Sequence, residues 1–217
     1  MATTLTITPK TIQLSPGSDV VLQGQTWADY EALLATRNER SNIKIYFNAQ
    51  TRTIRLMSPS PRHGNRSRAL SKFVESLLEH QGRDYQNYDP ITLKKFNEKG
   101  IEPDSCFYIA NWQTVLGKEK IDLEIDPPPD LVLEVDLTSL TQPQAYESIA
   151  SPELWIYREE KLSIYTLESG RYVKSIDSPT FPGIPVINLM PEYVEKAWRE
   201  GTSVAVRQFN AWLQSSL

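Results

Sequence analysis

Two short acidic segments, residues 103–109 (PDSCFYI) and 129–136 (PDLVLEVD), constrain the fold more than any other part of the sequence. Each segment begins with Pro-Asp and continues into a run of apolar residues, a pattern that predicts a buried strand. Glu134 interrupts the apolar run of the second segment. Carboxylates are almost never fully buried unless they are paired or bound to a metal. The sequence therefore predicts two core strands that bring acidic groups together.

Asp104 and Glu134 are the candidate ligands of one shared cation. Mg²⁺ prefers oxygen ligands and keeps several of its waters, so two carboxylates on adjacent strands are enough to hold it. The backbone carbonyl of Val135 is a candidate third ligand. Asp104 also has a local alternative, because Pro-Asp commonly turns the chain at the start of a strand. For Asp130 this turn role is preferred over metal binding.

The composition is that of an ordinary globular protein, and 217 residues can form one domain with a sizeable core. A formal net charge of −4 argues against a protein that coats nucleic acid by bulk electrostatics. The same net charge remains compatible with a local basic strip that contacts nucleic acid. The single cysteine, Cys106, is expected to be a buried apolar side chain. No segment has the pattern of a signal peptide or the length of a membrane span, so we expect a cytoplasmic protein.

The order of predicted elements indicates a mixed-sheet α/β or α+β domain. Residues 1–24 are predicted to form a loosely held arm with one edge strand at 5–8, and residues 25–217 a single domain. Thr26 and Asp29 indicate the start of a first helix, and apolar residues at helical spacing predict a second over about 65–81. The remaining predicted elements are a hairpin (43–48 and 53–57), a strand over 84–96 with an irregularity at its Asp-Pro pair, the two motif strands, a third helix over 141–150, a meander (154–157, 162–167 and 172–176) and one or two C-terminal helices.

The combination of motifs resembles one known family. The stretches TWADYEALLATR, MSPSPRHGNRSRAL, EPDSCFYI, DPPPDLVLEVDLTS and AYESIASPELWIY are similar to those of the Uma-two family, restriction-endonuclease-like proteins that are abundant in cyanobacteria and belong to the PD-(D/E)XK nuclease superfamily. The resemblance runs from about residue 27 to residue 165. It implies a restriction-endonuclease-like core, with a central mixed β-sheet flanked by helices and an N-terminal helix and hairpin extension. It also implies cleavage of DNA that depends on Mg²⁺ or Mn²⁺.

The resemblance implies roles for individual positions. Asp104 matches the first acid of the superfamily and Glu134 the second, so both are implied catalytic residues and metal ligands. Asp136 lies where the superfamily has its lysine, and Gln142 lies where many family members carry a lysine on the following helix. Asp136 is therefore considered as an extra metal ligand and Gln142 as a neutral group that orients water. Leu140 occupies a further position where related sequences often place a basic residue.

Other polar side chains keep more than one interpretation. Lys94 and Lys95, on the strand before the first motif, are candidates to replace the missing lysine. His63 is expected at the start of a helix rather than as a catalytic base, and Tyr146 is expected to pack its ring in the core. One basic cluster is interpreted as a solvated helix face or as a contact for a phosphate backbone. This cluster comprises Arg62, Arg66, Arg68 and Lys72.

These observations predict a Mg²⁺-dependent DNA endonuclease. The absence of lysine from both usual positions leaves a second hypothesis, a catalytically degenerate nuclease-fold protein that binds nucleic acid or a protein partner without cleavage. A homodimer would suit the first hypothesis, because cutting both strands of a duplex requires two sites.

Overall fold

The computed structural model describes residues 5–8 (backbone only), 11–37, 42–137 and 140–216. Within these ranges the chain forms four α-helices, two short 3-10 helices and thirteen strands. The α-helices are α1 (Trp27–Arg37), α2 (Pro61–His80), α3 (Val186–Glu200) and α4 (Thr202–Ser216), and the 3-10 helices are Trp112–Val115 and Pro143–Tyr146. The strands are β1 (Leu5–Thr8), β2 (Thr11–Leu14), β3 (Asp19–Gln23), β4 (Lys44–Asn48), β5 (Thr53–Met57), β6 (Gln86–Tyr88), β7 (Leu93–Lys95), β8 (Lys99–Ile101), β9 (Ser105–Tyr108), β10 (Leu131–Asp136), β11 (Glu153–Arg158), β12 (Lys161–Glu168) and β13 (Arg171–Ser175).

The strands form two larger sheets and one hairpin. The first sheet has six strands in the order β13-β12-β11-β10-β9-β6, and it is mixed because β10 and β11 are parallel while the other pairs are antiparallel. The second sheet has five antiparallel strands in the order β3-β5-β4-β8-β7. Strands β1 and β2 form the separate hairpin. The predicted class, a mixed sheet flanked by helices, is confirmed.

The six-stranded sheet separates two apolar cores. Helices α2, α3 and α4 cover one face, where Leu133 belongs to their core. On the opposite face Val132 packs in a second core together with Leu93 and Ile101 of the five-stranded sheet. Because successive side chains of a strand point to opposite faces, Glu134 lies on the face of Val132, away from the three helices and toward the second sheet.

The first two helices begin at residues that satisfy their free backbone N–H groups. At α1, Thr26 N and Oγ1 donate to Asp29 Oδ2, and Asp29 N donates back to Thr26 Oγ1. At α2, Ser60 Oγ accepts from His63 N, and Pro61, which has no N–H to satisfy, occupies the first helical turn. Helix α2 therefore begins at Pro61, earlier than the start near residue 65 that its apolar spacing predicts.

Most of the predicted elements are confirmed, and two predictions of local structure are wrong. Residues 84–96 form two strands, β6 and β7, instead of one, since Pro90 lacks the N–H that a continuous strand needs. The predicted helix over 141–150 is only one 3-10 turn at Pro143–Tyr146. Thr141 N and Oγ1 donate to Asp136, and Ala150 has a positive φ of 61°, which a right-handed helix continuing to residue 150 does not allow.

The predicted edge strand at residues 5–8 is confirmed as β1. The division at residue 24 stays a prediction, although Asp19–Gln23 pair with β5 inside the five-stranded sheet. No helix in the described ranges combines the length and the apolar character that crossing a membrane would take.

Candidate active site

The register of β9 and β10 places the two predicted carboxylates opposite each other. Leu133 pairs with Ser105 in the antiparallel ladder, so Glu134 and Asp104 are the next facing positions. Both residues are buried, each with about 3% of its surface exposed, and they are close enough for each carboxyl group to act on the charge of the other. Burial, and then the charge of Asp104, raise the pKa of Glu134 well above its usual value. The pair can therefore share one proton or one cation.

Asp104 is held by groups from three different elements. Its Oδ2 accepts a hydrogen bond of 2.7 Å from Val135 N on β10 and lies 3.1 Å from His63 Nε2 on α2. Its Oδ1 accepts from Lys44 Nζ on β4. Burial alone would raise the pKa of Asp104, but the charge of Lys44, assisted by His63, lowers it below the usual range. Asp104 is thus ionised in the folded protein.

Lys44 is the cation of this site, and sequence reasoning missed it. It is the first residue of β4 in the five-stranded sheet, and it is buried. Burial would lower its pKa, but the charges of Asp104 and Glu134 outweigh this effect and raise it. The available signal was a lysine inside the apolar stretch from Ile43 to Phe47, which resembles the way Glu134 interrupts its own strand.

Glu102 fixes the strand that carries Lys44. Its Oε2 accepts from Ile45 N at 2.7 Å and from Arg37 Nη1, and its Oε1 accepts from Thr92 Oγ1. Its backbone carbonyl also accepts from Tyr46 Oη at 2.9 Å. Because these contacts surround the residue that follows Lys44, they set the distance between β4 and the carboxylate pair.

Two tyrosines enclose the carboxylates on the side of the second sheet. Tyr146 packs its ring in the core, as predicted, and its hydroxyl donates to Glu134 Oε1. Burial, together with the charges of Glu134 and Asp104, raises the pKa of Tyr46 well above its usual value. The hydroxyl of Tyr46 therefore remains protonated, and that of Tyr146 acts as a donor to the site.

His63 lies at the start of α2, as predicted, but it also belongs to the site. Its side chain is buried, and Nε2 is the atom that approaches Asp104. The cap made by Ser60 on His63 N fixes this first turn. His63 is thus a neighbour of the carboxylate pair in addition to being an ordinary helix-start residue.

The two other residues predicted for catalysis lie apart from the pair's immediate contacts. Asp136 is buried at the end of β10, where it accepts from Arg158 Nε at 3.0 Å and from Thr141 N and Oγ1. Gln142 and Leu140 are exposed. These bonds tie Asp136 to Thr141 and Arg158, which gives this carboxylate a structural part. Its predicted role as an extra metal ligand stays a prediction.

The proposed substitutes for the missing lysine have other partners. Lys94 pairs with Glu31, its Nζ lying 3.1 Å from Oε1, and Lys95 pairs with Glu98 at 3.3 Å. Lys44 holds the contact with Asp104 that was expected of one of them. Asp130 has the predicted turn role, because its Oδ2 accepts from the backbone N–H groups that follow β9.

The predicted basic cluster is divided between two faces of α2. Arg66 is buried and donates from Nε and Nη2 to both carboxylate oxygens of Glu195 on α3, at 2.7 and 2.8 Å. Arg62 and Arg68 are exposed. Only the exposed members of the cluster are therefore available to a phosphate backbone.

The donor set at the carboxylate pair fits a hard divalent cation. Asp104 and Glu134 together can carry two negative charges, and Lys44 supplies one positive charge against them. Two carboxylates are sufficient for Mg²⁺, which retains several waters. Within the described residues no cluster of three or more His, Cys, Asp and Glu side chains is arranged around one point, so the remaining ligands would be waters or backbone oxygens.

The comparison with sequence families gives the class, a nuclease-like protein. The sequence model of the Uma2 family, described as "Putative restriction endonuclease", matches residues 27–191. The chain belongs to the Uma2 family, as its motifs indicated. Among solved structures the chain is similar to one described as "a putative nuclease belonging to DUF820" from Anabaena variabilis ATCC 29413, with 16% identity and a TM-score of 0.38 over 73% of this chain and 87% of that one. None of the curated proteins compared with the chain matches it.

Proposed function

We propose that the protein is an endonuclease that hydrolyses phosphodiester bonds in DNA, with Asp104 and Glu134 holding one Mg²⁺ or Mn²⁺. The observation that carries this proposal is the convergence of both carboxylates with Lys44 at a buried junction of two sheets. When bound, a divalent cation at such a site polarises the phosphodiester and lowers the pKa of water. Membership of the Uma2 family supports the reaction class.

Lys44 takes the part of the lysine that is absent from positions 136 and 142. Its ammonium group lies against Asp104 and is charged in the folded protein, since its pKa is raised. A fixed positive charge in a water-poor site stabilises negative charge that develops on the phosphate oxygens, and one such group contributes about a hundred- to a thousandfold in rate.

The neighbouring residues orient the carboxylates. Val135 N–H and His63 hold Oδ2 of Asp104, and the hydroxyl of Tyr146 holds Oε1 of Glu134. Because these three groups come from β10, α2 and the 3-10 turn, the carboxylate geometry is fixed before any substrate binds.

One observation favours the second hypothesis, binding without cleavage. Both oxygens of Asp104 already have partners within the protein, which are Lys44 on one side and Val135 N–H with His63 on the other. A carboxylate satisfied in this way can remain in place for stability after catalysis has been lost.

The test is nicking of supercoiled plasmid DNA in Mg²⁺, in Mn²⁺ and in a chelator. We expect metal-dependent nicking by the wild type, none by Asp104→Ala, and a rate about a hundred- to a thousandfold lower for Lys44→Gln. Lys94→Gln is the matched control, because it removes a lysine from the same sheet that pairs with Glu31 instead. Binding of the plasmid without nicking in either metal would establish the second hypothesis.

Gln142→Lys separates the two explanations for the missing lysine. If Lys44 supplies the charge, this variant keeps the wild-type rate at saturating plasmid, because the cation is already present and a new charge at the exposed position 142 acts on DNA binding only. A clear gain in the metal-dependent rate of Gln142→Lys at saturating plasmid would instead identify position 142 as the place of a lost lysine.

A further inference from the structure

Two cavities are each lined by a residue that contacts the carboxylate pair. The larger, of about 580 Å³, is lined by Lys44 and Glu102 among others. The smaller, of about 340 Å³, is lined by Tyr146, whose hydroxyl donates to Glu134. We call the smaller cavity the polar cleft. Its lining residues are Tyr46, Phe47, Asn48, Gln50, Thr53, Arg55, Lys99, Gly100, Ile101, Leu140, Thr141, Gln142, Gln144, Ala145 and Tyr146.

The two cavities differ in the signs of the charged residues that line them. The larger cavity mixes both signs, and its charged lining residues are Glu31, Arg37, Lys44, Lys94, Glu102, Glu119 and Lys120. The described lining of the polar cleft contains Arg55 and Lys99 and neither Asp nor Glu. In a chain with a formal net charge of −4, a cleft that lacks acidic residues and adjoins the carboxylate pair is suited to an anion.

Of the two cations in the polar cleft, Lys99 is the one without a counter-charge. Arg55 forms a two-point pair with Asp19, in which Nε and Nη2 lie 2.8 and 2.7 Å from the carboxylate oxygens. Lys99 has no carboxylate within ion-pair distance among the described residues. Burial lowers its pKa, against the smaller and opposite effect of Glu98. A partly desolvated ammonium group of this kind gains a charge-assisted hydrogen bond when an anionic oxygen reaches it.

The rest of the cleft offers amide groups and one apolar surface. Asn48, Gln50, Gln142 and Gln144 contribute side chains that both donate and accept hydrogen bonds. Leu140 has 67% of its surface exposed and gives the cleft an accessible apolar side chain. Amides beside an apolar surface match the edges and the face of a nucleobase.

We propose that the polar cleft binds one unpaired nucleotide of the DNA substrate, with its phosphate at Lys99 and its base between Leu140 and the amide side chains. The volume is near the lower end of the range of small-molecule sites, roughly 300–1,000 Å³, so it admits one nucleotide and excludes a duplex. This assignment rests on the proposed nuclease function for the identity of the polymer. It gives Gln142 a part in substrate binding in place of the catalytic part that its position in the family implies.

The test measures binding in a chelator, so that it does not depend on cleavage or on a metal. A fluorescein-labelled single-stranded oligodeoxynucleotide is titrated with the full-length protein over a series of salt concentrations, and the duplex of the same sequence is titrated in parallel. We expect the wild type to bind the single strand more tightly than the duplex. We expect Lys99→Gln to weaken binding of the single strand and to reduce the slope of log K against log salt by about 0.7, the value of one phosphate contact in single strands. Leu140→Asp, which places an acid at an exposed position, should weaken binding as well.

Lys94→Gln is the matched control, because Lys94 lies on the same β7–β8 hairpin but lines the larger cavity. We expect its slope to equal that of the wild type. The proposal is overturned if Lys94→Gln changes the slope and Lys99→Gln does not, if neither does, or if the duplex binds as tightly as the single strand. If the protein binds single strands through Lys99 but nicks no plasmid, the proposed function is contradicted and this assignment stands. If the protein nicks plasmid and Lys99→Gln changes neither nicking nor binding, this assignment is contradicted and the proposed function stands.

Discussion

At the scale of single residues, the candidate site depends on one ion pair that joins the two sheets. Lys44 and Asp104 are 60 positions apart in the chain, and both are buried. Taking either partner away leaves a buried charge without its counter-charge, which typically costs about 3–5 kcal/mol. The loss of activity expected for Lys44→Gln therefore has to be separated from a loss of folded protein, and the unfolding midpoint of that variant is measured beside its nicking rate.

Gly100 is a second position where one residue decides the local geometry. A Cβ at this position would overlap the ring of Tyr30, which stacks on Phe47 with a ring separation of 5.6 Å. We expect Gly100→Ala to lower the free energy of unfolding by about 2 kcal/mol, because the buried ring has no room to move. Gly64→Ala is the control, since nothing lies within 4 Å of its Cβ and alanine favours the helix. Chemical denaturation measures both, and equal stabilities of the two variants would contradict the expected overlap.

The acidic residues of the site could be predicted from the sequence, whereas its lysine could not. Glu134 is visible because it interrupts an apolar run, and a buried carboxylate needs a partner. The identity of that partner depends on which strand of the second sheet approaches β10, and no local pattern contains this information. Lys94 and Lys95 were reasonable candidates by their closeness to the motif in the chain, but Glu31 and Glu98 hold them elsewhere.

At the scale of helices and strands, the contact between α2 and α3 is fixed by a buried ionic group. Arg66 of α2 donates to both oxygens of Glu195 on α3, and Tyr157 of β11 donates to Glu195 Oε1 at 2.7 Å. Trp198 of α3 covers the guanidinium group, with its ring centroid 4.8 Å from Cζ of Arg66. The pair holds the first half of α2, and with it His63, at a constant distance from the six-stranded sheet.

This contact gives the protein a pH-dependent stability. Burial would raise the pKa of Glu195, but the hydrogen bonds from Arg66 and Tyr157 outweigh burial and lower it from its usual value of 4.5. A carboxyl group with a lowered pKa in the folded state contributes stability above its unfolded pKa and loses that contribution as the pH falls through the folded value. We expect Glu195→Gln to cost about 3 kcal/mol at neutral pH, and less as the solution is made acidic below the usual value.

Denaturant unfolding of the wild type and of Glu195→Gln, at neutral and at acidic pH, measures this difference. Glu200→Gln is the control, because Glu200 is an exposed residue of the same helix. A difference between wild type and Glu195→Gln that stays constant over the acidic range would contradict the lowered pKa.

Elements with a strong local signal were predictable, and those governed by contacts distant in sequence were not. Helix α1 has a reciprocal cap between Thr26 and Asp29, and its predicted start is confirmed. Residues 141–150 have helix-compatible composition, but only Pro143–Tyr146 form a 3-10 turn, the Tyr146 hydroxyl donates to Glu134, and Ala150 has a positive φ of 61°. The tertiary contacts of this segment therefore override its local propensity.

At the scale of the whole molecule, the site lies where the two sheets meet. Asp104 and Glu134 come from the six-stranded sheet and Lys44 from the five-stranded one, and Glu102 holds β4 beside them. A cation that binds the assembled carboxylate pair has no equivalent site in the unfolded chain, where the two segments are separated. Binding should therefore raise the stability of the entire fold, by about 2.7 kcal/mol at a hundredfold excess over Kd.

Thermal unfolding in Mn²⁺ and in a chelator tests this prediction. We expect Mn²⁺ to raise the unfolding midpoint of the wild type and to leave that of Glu134→Gln nearly unchanged, because the variant keeps the shape of the side chain but removes one anionic ligand. Glu153→Gln is the matched control: Glu153 is also a buried carboxylate, but its oxygens accept from Trp155 Nε1 and from Thr180 N and Oγ1, away from the pair. This variant should unfold at a lower temperature and still gain the full increase from Mn²⁺. An equal increase in Glu134→Gln and in the wild type would place the bound ion somewhere other than the carboxylate pair, and the nuclease proposal would lose its metal site.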